Sequence, residues 1–162
     1  MNMIPKDSLI FHFVERTIVN LNYISDRKGE SGPYEVTQLI NSMLGLLIIP
    51  IEKYGKYNRT ALSNDKRFEE IKGQYATLIE NREINSLFDF LRSLRHAFAH
   101  GNIELKGERL VESILIWNYE FLHGRSTDKI NWEIEISVEK LHRLVVLIAD
   151  HISENLDPER FQ

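Results

Sequence analysis

Apolar residues recur at every third or fourth position along much of the chain, which is the spacing of an amphipathic helix. Strong segments of this kind begin near Asp7, near Tyr34, near Ile84 and after Ser137. A weaker and more charged segment runs from about residue 66 to residue 79. The pattern therefore predicts four strong helices and one weaker helix.

Three residues are expected to shape these helices. Gly45 lies inside the second helix, where it lowers helix propensity, so we expect it to mark close packing against a neighbour. Pro50 should kink or end the same helix, because its ring removes a backbone donor and clashes with the preceding turn. Gly101 suits the left-handed conformation that stops helices, so the third strong helix should end near Ala99.

A different pattern lies between residues 111 and 136. The segments 111–121 and 130–136 are rich in Ile, Trp and Tyr, and the second alternates apolar with charged residues. The polar segment 123–128 between them contains Gly124 and suits a turn. The chain as a whole thus predicts a mainly α fold, a four-helix bundle with one β-hairpin inserted before the last helix, in a single domain over residues 1–162.

The composition narrows the classes of protein. With 162 residues, 43% of them hydrophobic, the chain can bury one ordinary core. It has no cysteine, which excludes disulfides, thiolate metal sites and cysteine nucleophiles. A formal net charge of −4 gives no general attraction to nucleic acid, so nucleic-acid binding would need a local basic cleft.

Two segments bear on location. Residues 1–7 lack the cationic start and apolar run of a signal peptide. The longest apolar run, residues 43–51, is about half a membrane span and contains Pro50. We therefore expect a cytoplasmic protein that does not enter the membrane.

Arg95 is the residue that the helical pattern itself singles out. At about 100° per residue, it falls within the apolar stripe of the third strong helix, between the directions of Leu91 and Phe88. An unpaired guanidinium in an apolar layer is costly, so a carboxylate, a subunit interface or an anionic ligand should accompany it. His100 points about 140° away on a regular helix. The two side chains would converge only if the helix breaks at Gly101 or a second subunit supplies one of them.

The segment around Arg95 resembles a known motif. Residues 91–102, LRSLRHAFAHGN, contain Arg95, the polar residue His96, a short spacer and then His100 near a helix end. This arrangement resembles the HEPN motif. The stretches 13–17 and 34–42 resemble a branch of HEPN-family nucleases, so the resemblance covers most of the chain.

The resemblance implies a metal-independent endoribonuclease that needs no cofactor and works as a homodimer, with two Arg/His motifs lining one cleft. It implies that His100 takes a proton from a ribose 2′-OH, that Arg95 holds the scissile phosphate, and that His96 orients the phosphate or the leaving group. Arg92 and Asn102 are expected to bind substrate beside them. The substrate is expected to be RNA, because the reaction needs the 2′-OH and leaves a 2′,3′-cyclic phosphate and a 5′-OH.

The resemblance also implies a setting in toxin–antitoxin or antiviral defence systems. In one sub-branch, a Tyr two residues after the His is modified by a nucleotidyltransferase antitoxin. Asn102 occupies that position here, which counts against regulation by that route. An antitoxin or inhibitor protein of another kind is left open as a partner.

Other interpretations of the same residues stay open. Arg95 could form a structural salt bridge with Glu15, Glu35 or Glu52. His100 alone is typical of a helix C-terminus, where the macrodipole favours a cation. His96 and His100 have the i, i+4 spacing of metal ligands, but the lack of Cys and of a Glu between them disfavours zinc. The whole chain could also be a non-catalytic HEPN-like module that binds nucleotide, RNA or a protein partner.

The aromatic residues of the predicted hairpin have two interpretations. They could form a base-stacking platform for nucleic acid, with members Trp117, Tyr119, Phe121 and Trp132. More often such residues pack across neighbouring strands, and we favour that interpretation.

Overall fold

The structure is a computed structural model that describes residues 9–27, 35–54, 63–108 and 111–155. The chain divides into two compact units, residues 1–58 with 142–162 and residues 59–141. Helix α5, Val138–Asn155, begins in the second unit and continues into the first. None of the helices in these described ranges is long and apolar enough to cross a bilayer.

The first unit contains helices α1, Leu9–Ser25, and α2, Glu35–Tyr54, which pack against each other. The prediction for Gly45 is confirmed, because a Cβ at this position would collide with the ring of Phe13 on α1. Pro50 was predicted to kink or end α2, and the second alternative is excluded because the helix continues through it to Tyr54. One proline removes a single backbone hydrogen bond, and the bonds on either side of it carry the helix forward.

The second unit is built on a four-stranded antiparallel sheet in the order β1-β4-β3-β2. The strands are β1, Ala76–Glu80; β2, Ile103–Lys106; β3, Ser113–Leu122; and β4, Arg125–Ser137. A two-residue turn joins β3 to β4, with positive φ at both His123 and Gly124, which matches the twist of a tight hairpin. The turn is therefore shorter than the predicted segment 123–128.

The prediction of a mainly α four-helix bundle with one inserted hairpin is wrong. Among the described residues there are five helices and a four-stranded sheet, which is an α+β fold. The hairpin exists as β3 and β4, but each of its strands has a further partner: β1 lies beside β4, and β2 beside β3. A hairpin alone is marginally stable and leaves two rows of unpaired backbone groups, which the short flanking strands here satisfy.

The weaker helix predicted over residues 66–79 is correct only in its first half. Helix α3 spans Arg67–Lys72 and ends at Gly73, after which residues 76–80 form β1. β1 pairs with β4, with Thr77 opposite Ile134 and Glu80 opposite Trp132. The backbone bonds to a strand more than fifty residues away outweigh the helical spacing that continues past Gly73.

One face of the sheet packs against helix α4, Leu87–Ala99, and Phe90 lies at the centre of this contact. Its ring stacks on Tyr75 at 4.9 Å between centroids and meets Trp132 edge-on at 6.2 Å. Phe68 from α3 approaches the same ring at 6.4 Å. This aromatic cluster packs α3, α4 and β4 against one another and buries their apolar surface in one core. The position of α4 on the sheet is therefore well defined.

Candidate active site on helix α4

The start of α4 is set by its capping residue. Ser86 has an extended backbone, and its hydroxyl accepts a hydrogen bond from the backbone N–H of Asp89 at 3.1 Å. The same hydroxyl donates to the Asp89 carboxylate at 2.8 Å. Asp89 also lies in the first turn, where a negative charge offsets the helix dipole. The helix thus begins three residues later than Ile84, although Ile84 itself is buried.

The rotation of α4 about its axis is fixed by its buried face. That face comprises Leu87, Phe90, Leu91, Ser93, Leu94, Ala97 and Phe98. In the middle of it, the buried side chain of Asn118 on β3 donates through Nδ2 to the backbone carbonyl of Ser93 at 2.9 Å. A hydrogen bond from the sheet to one particular carbonyl determines which residues of α4 point away from the core.

The end of α4 is closed by a Schellman motif. The Asn102 N–H donates to the carbonyl of Ala97 at 2.9 Å, and the Gly101 N–H donates to that of Phe98 at 3.2 Å. Gly101 has φ of +67°, so the predicted left-handed stop is confirmed. The carbonyl of Asn102 accepts from the N–H of Trp117, which joins the helix end directly to the sheet.

Three of the predicted site residues share the exposed side of α4. Arg92, His96 and His100 are four residues apart, so they form one row with a rise of about 6 Å between neighbours. The rings of His96 and His100 lie 4.4 Å apart between centroids and are tilted by 55°. The structure therefore brings the two histidines into contact at the surface.

Arg95 lies at the edge of the buried face and not within the core. It is half-buried, as is Phe88, whereas Leu91 and Leu94 are fully buried. The buried face also includes Phe90 and Ala97, which moves its centre away from the side on which Arg95 projects. The Nε atom of Arg95 is buried, so part of its guanidinium lies beneath the surface of the helix.

The helix stop does not turn His100 toward Arg95. His100 is the capping residue, with φ of −98° and ψ of 2°, and its ring stays against His96. The break occurs one residue later, at Gly101, so it redirects the chain only after His100 has been placed. A second subunit that brings an Arg95 to a His100 stays a prediction.

The electrostatic environment of His96 is cationic. Partial burial lowers the pKa of His96 below its usual 6.5, and positive charges lower it further, those of His100, Arg82, Arg95 and Arg92 in decreasing order. Protonating His96 would add another cation to this group, so the neutral imidazole is favoured at neutral pH. The cluster is a local positive patch on a chain of net negative charge.

Comparison with family models gives a match over almost the whole chain. The model described as HEPN pEK499 p136 matches residues 1–159. The chain belongs to this HEPN family. The resemblance noted around Arg95 is thereby confirmed at the level of the family. No curated protein and no solved structure matches the chain.

Arg82 is a member of the HEPN chain's cationic cluster that the sequence did not reveal. It lies between β1 and α4, thirteen residues before Arg95, and belongs to no motif. Its positive charge is one of those that lower the pKa of His96. Arg82 follows β1 by two residues, and β1 was not predicted from the sequence.

Asn102 has a clear structural role. Its N–H and its carbonyl are both used, the first in closing α4 and the second in holding Trp117 on β3. Its side chain is half-exposed. Substrate binding by the Asn102 amide therefore stays a prediction, and the backbone bonds give an independent reason for this residue's position beside His100.

The hairpin aromatics of this HEPN chain do not form one platform. Trp132 is 1% exposed and faces α4, opposite Asn118 in the register of β3 and β4. Trp117 pairs with Glu133 on the other face and is half-buried. Trp132 is thus a core residue, which excludes the four-residue base-stacking surface.

The described residues give no indication of a metal site. In that part of the chain no group of three or more His, Asp or Glu side chains has an arrangement that could hold a metal ion. His96 and His100 are close together, but the other charged side chains that lower the pKa of His96 are arginines. Cationic neighbours disfavour a divalent cation and favour an anion such as a phosphate group.

Proposed function

We propose that this HEPN protein is a metal-independent endoribonuclease whose active site is the exposed face of α4. The observation that supports it most is the contact between His96 and His100 within a group of arginines. Arginines suit a phosphodiester, and imidazole is the side chain best matched to proton transfer at neutral pH. Membership of a HEPN family supports the same class of activity.

His100 is the general base of the proposed reaction. It takes the proton of a ribose 2′-OH, and the 2′ oxygen attacks the adjacent phosphorus. The bond from phosphorus to the 5′ oxygen breaks, and that oxygen takes a proton from solvent. The products are a 2′,3′-cyclic phosphate and a 5′-OH, and His100 later returns its proton to water.

His96 acts in this reaction as a neutral imidazole. Its lowered pKa means that His100 can gain a proton without a second imidazolium 4.4 Å away. A neutral His96 can still donate an N–H hydrogen bond to a phosphate oxygen or to the leaving group. Arg95 and Arg92 offset the charge that develops on the non-bridging oxygens.

A homodimer completes the proposed site. Within one chain, Arg95 projects at the edge of the buried face and His100 about 140° from it, so a second copy is needed to place an Arg95 opposite a His100. Mixing Arg95→Ala subunits with His100→Ala subunits should then restore part of the activity that each variant lacks. A monomeric mass in solution, or no recovery in the mixture, would rule out the shared site.

The direct test of the activity is incubation of the purified protein with total RNA in excess EDTA. The proposal predicts new ends that carry 2′,3′-cyclic phosphates, and their loss in Arg95→Ala and His100→Ala. The matched control is Arg125→Gln, an exposed arginine at the hairpin turn, which should cleave like the unaltered protein. A requirement for metal, or full activity in His100→Ala, would contradict the mechanism.

A second candidate function is supported by the net charge of −4. A non-catalytic module that binds nucleotide, RNA or a protein through the same residues needs less long-range attraction to polymeric RNA than an enzyme does. The end-mapping experiment separates the two functions. Binding of RNA by the cationic cluster without any new ends would favour the module.

A further inference from the structure

The sheet of the second unit has two edge strands, and they differ in regularity. β1 has a register shift between Thr77 and Ile79 in its pairing with β4. β2 pairs with β3 over all four of its residues without a shift. A bulge twists an edge away from further pairing, whereas a regular edge can accept another strand. β2 is therefore the edge of this sheet that better suits a further strand.

The backbone of β2 points alternately toward β3 and away from it. The Trp117 N–H donates to the carbonyl of Asn102 at 3.1 Å, which fixes the order of this alternation. Glu104 and Lys106 then direct their backbone groups to β3, and Leu105 directs its N–H and C=O to the other side. Among the described residues no strand lies on that side of β2. Leu105 is 48% exposed, so this edge is accessible.

The side chains on either side of Leu105 have opposite charge. Glu104 and Lys106 share one face of β2, and the Lys106 Nζ lies 2.8 Å from the Glu104 Oε1. Their side chains are 54% and 43% exposed. An antiparallel strand of the same sequence, centred on Leu105, places a lysine opposite Glu104 and a glutamate opposite Lys106. β2 thus carries its own charge complement, and a second β2 is the strand that matches it.

β1 lacks this self-complementarity. Centred on Leu78, an antiparallel copy of β1 would place Thr77 opposite Ile79 and Ala76 opposite Glu80. Neither pair joins opposite charges. Charge complementarity therefore favours β2 over β1 as the strand that meets a second copy of the chain.

We propose that β2 pairs antiparallel with β2 of a second copy of this chain, about a two-fold axis between the two Leu105 residues. Each Leu105 donates its N–H to the carbonyl of the other. Glu104 of each copy then lies opposite Lys106 of the other, at the closer cross-strand spacing of about 4.5 Å between Cα atoms. This inference rests on the proposed function in one respect, because it supplies the interface of the homodimer that the proposed site requires.

The pairing also determines where the two copies of α4 lie. A two-fold axis between antiparallel strands of one sheet is perpendicular to that sheet, so both copies of α4 lie on the same face of it. His100 precedes Leu105 by five residues, so their Cα atoms are at most about 18 Å apart. The His100 residues of the two copies therefore lie on either side of a nearby axis. Four strand residues bury less than the roughly 1,200 Å² of a stable interface, and the copies of α4 are placed to add to it.

Cysteine cross-linking tests the register directly, because the chain has no cysteine of its own. The Cα atoms of a hydrogen-bonded antiparallel pair are about 5.5 Å apart, which a disulfide can span. Leu105→Cys should therefore give a disulfide-linked dimer after mild oxidation with diamide, as seen on a non-reducing gel. The matched control is Leu78→Cys, which is 50% exposed on the other edge strand and should stay unlinked.

Charge exchange tests the ion pairs in solution. Glu104→Lys and Lys106→Glu each place like charges opposite one another in a self-paired dimer, so each should raise the dimer Kd by roughly ten- to a hundredfold. A mixture of the two variants restores opposite charges and should form the mixed dimer. Lys129→Glu is the control, because it breaks an exposed ion pair with Glu120 on the hairpin and should leave Kd unchanged. Sedimentation velocity over a series of protein concentrations measures Kd.

The inference would be overturned by a monomeric mass at every concentration, by equal linking of folded Leu105→Cys and Leu78→Cys, or by an unchanged Kd in both charge variants. Near-UV circular dichroism checks that each variant is folded. A dimer linked through Leu105→Cys that does not cleave RNA would refute the ribonuclease and retain the β2 interface. Cleavage restored by mixing Arg95→Ala with His100→Ala subunits, without linking through Leu105→Cys, would retain the ribonuclease and refute the β2 interface.

Discussion

The two sides of α4 differ in what they contribute. The buried side meets the sheet through Phe90 and receives the hydrogen bond from Asn118 at the carbonyl of Ser93. The exposed side carries Arg92, His96 and His100. The buried side determines where the helix lies and how it is rotated, and the exposed side has no part in that task. Residues on the exposed side are therefore free to serve chemistry at little cost to the fold.

Arg95 belongs to neither side completely, and this position is informative. A residue at the boundary can keep the stem of its side chain against apolar atoms while its charge acts on His96. The comparison therefore predicts two classes of variant. Changes on the exposed side should affect cleavage alone, and changes on the buried side should affect stability first.

The largest effect is expected for His100→Ala. Losing a positioned general base should lower the rate of RNA cleavage by about 10²–10⁴-fold. The free energy of unfolding should change by less than about 0.5 kcal/mol, because His100 is exposed. Initial rates and urea unfolding on the same preparation measure both. A marked loss of stability in this variant would show that the exposed side also supports the fold.

The second largest effect, a loss of stability, is expected for Leu94→Ala on the buried side. Leu94 is fully buried, so truncation should lower the free energy of unfolding by about 2–5 kcal/mol. Urea unfolding measures the loss. Leu105→Ala is the matched control, since Leu105 is 48% exposed and should cost much less. Equal losses in the two variants would contradict the assignment of the buried face.

A smaller effect is expected for Asn118→Ala. This change removes the buried donor to the Ser93 carbonyl and should cost about 1–3 kcal/mol of unfolding free energy. Asn81→Ala is a suitable control, because Asn81 is exposed and is used through its backbone. If Asn118→Ala proved as stable as the control, the bond would have no part in fixing α4.

The smallest effect concerns the titration of His96. Its pKa should lie below 6.5, and His100→Ala should raise it, because the variant removes a neighbouring positive charge and some of the burial. Arg82→Gln should raise it as well. Nuclear magnetic resonance of the imidazole protons over a pH series measures the shift. A lower pKa in either variant would mean that the cationic neighbours do not act as described.

The sequence predicted the helices better than the sheet, and the reason is the range of the interactions. Periodicity within ten to twenty residues was enough to find α1, α2, α4 and α5, and the stop at Gly101 followed from a local backbone preference. β1 forms because Thr77 pairs with Ile134. β2 has only four residues, Ile103–Lys106, too few for an alternating pattern to stand out, and it pairs with β3, the next strand along the chain. A local pattern does not show that Thr77 has a partner more than fifty residues further along the chain.

The short range of sequence patterns also explains which residues of the candidate site could be predicted. Arg92, Arg95, His96 and His100 lie on one helix, so helical geometry and the motif together indicated them. Arg82, whose charge also lowers the pKa of His96, lies outside that helix, just after β1, and no motif marks it. The burial of Arg95 was overestimated because Phe90 and Ala97 also lie on the buried face and move its centre. A helical wheel whose apolar stripe leaves out Phe90 and Ala97 places the centre of the buried face too close to Arg95.

The central claim is that the exposed side of α4 cleaves RNA through a ribose 2′-OH. A single-stranded oligonucleotide with one ribose in an otherwise 2′-deoxy chain tests it most directly, with excess EDTA present. The account predicts one cut, at the phosphate 3′ of that ribose, with a 2′,3′-cyclic phosphate on the upstream fragment, and no cut with His100→Ala. Cutting at 2′-deoxy positions, or no cut by the unaltered protein at any unmodified RNA, would contradict it.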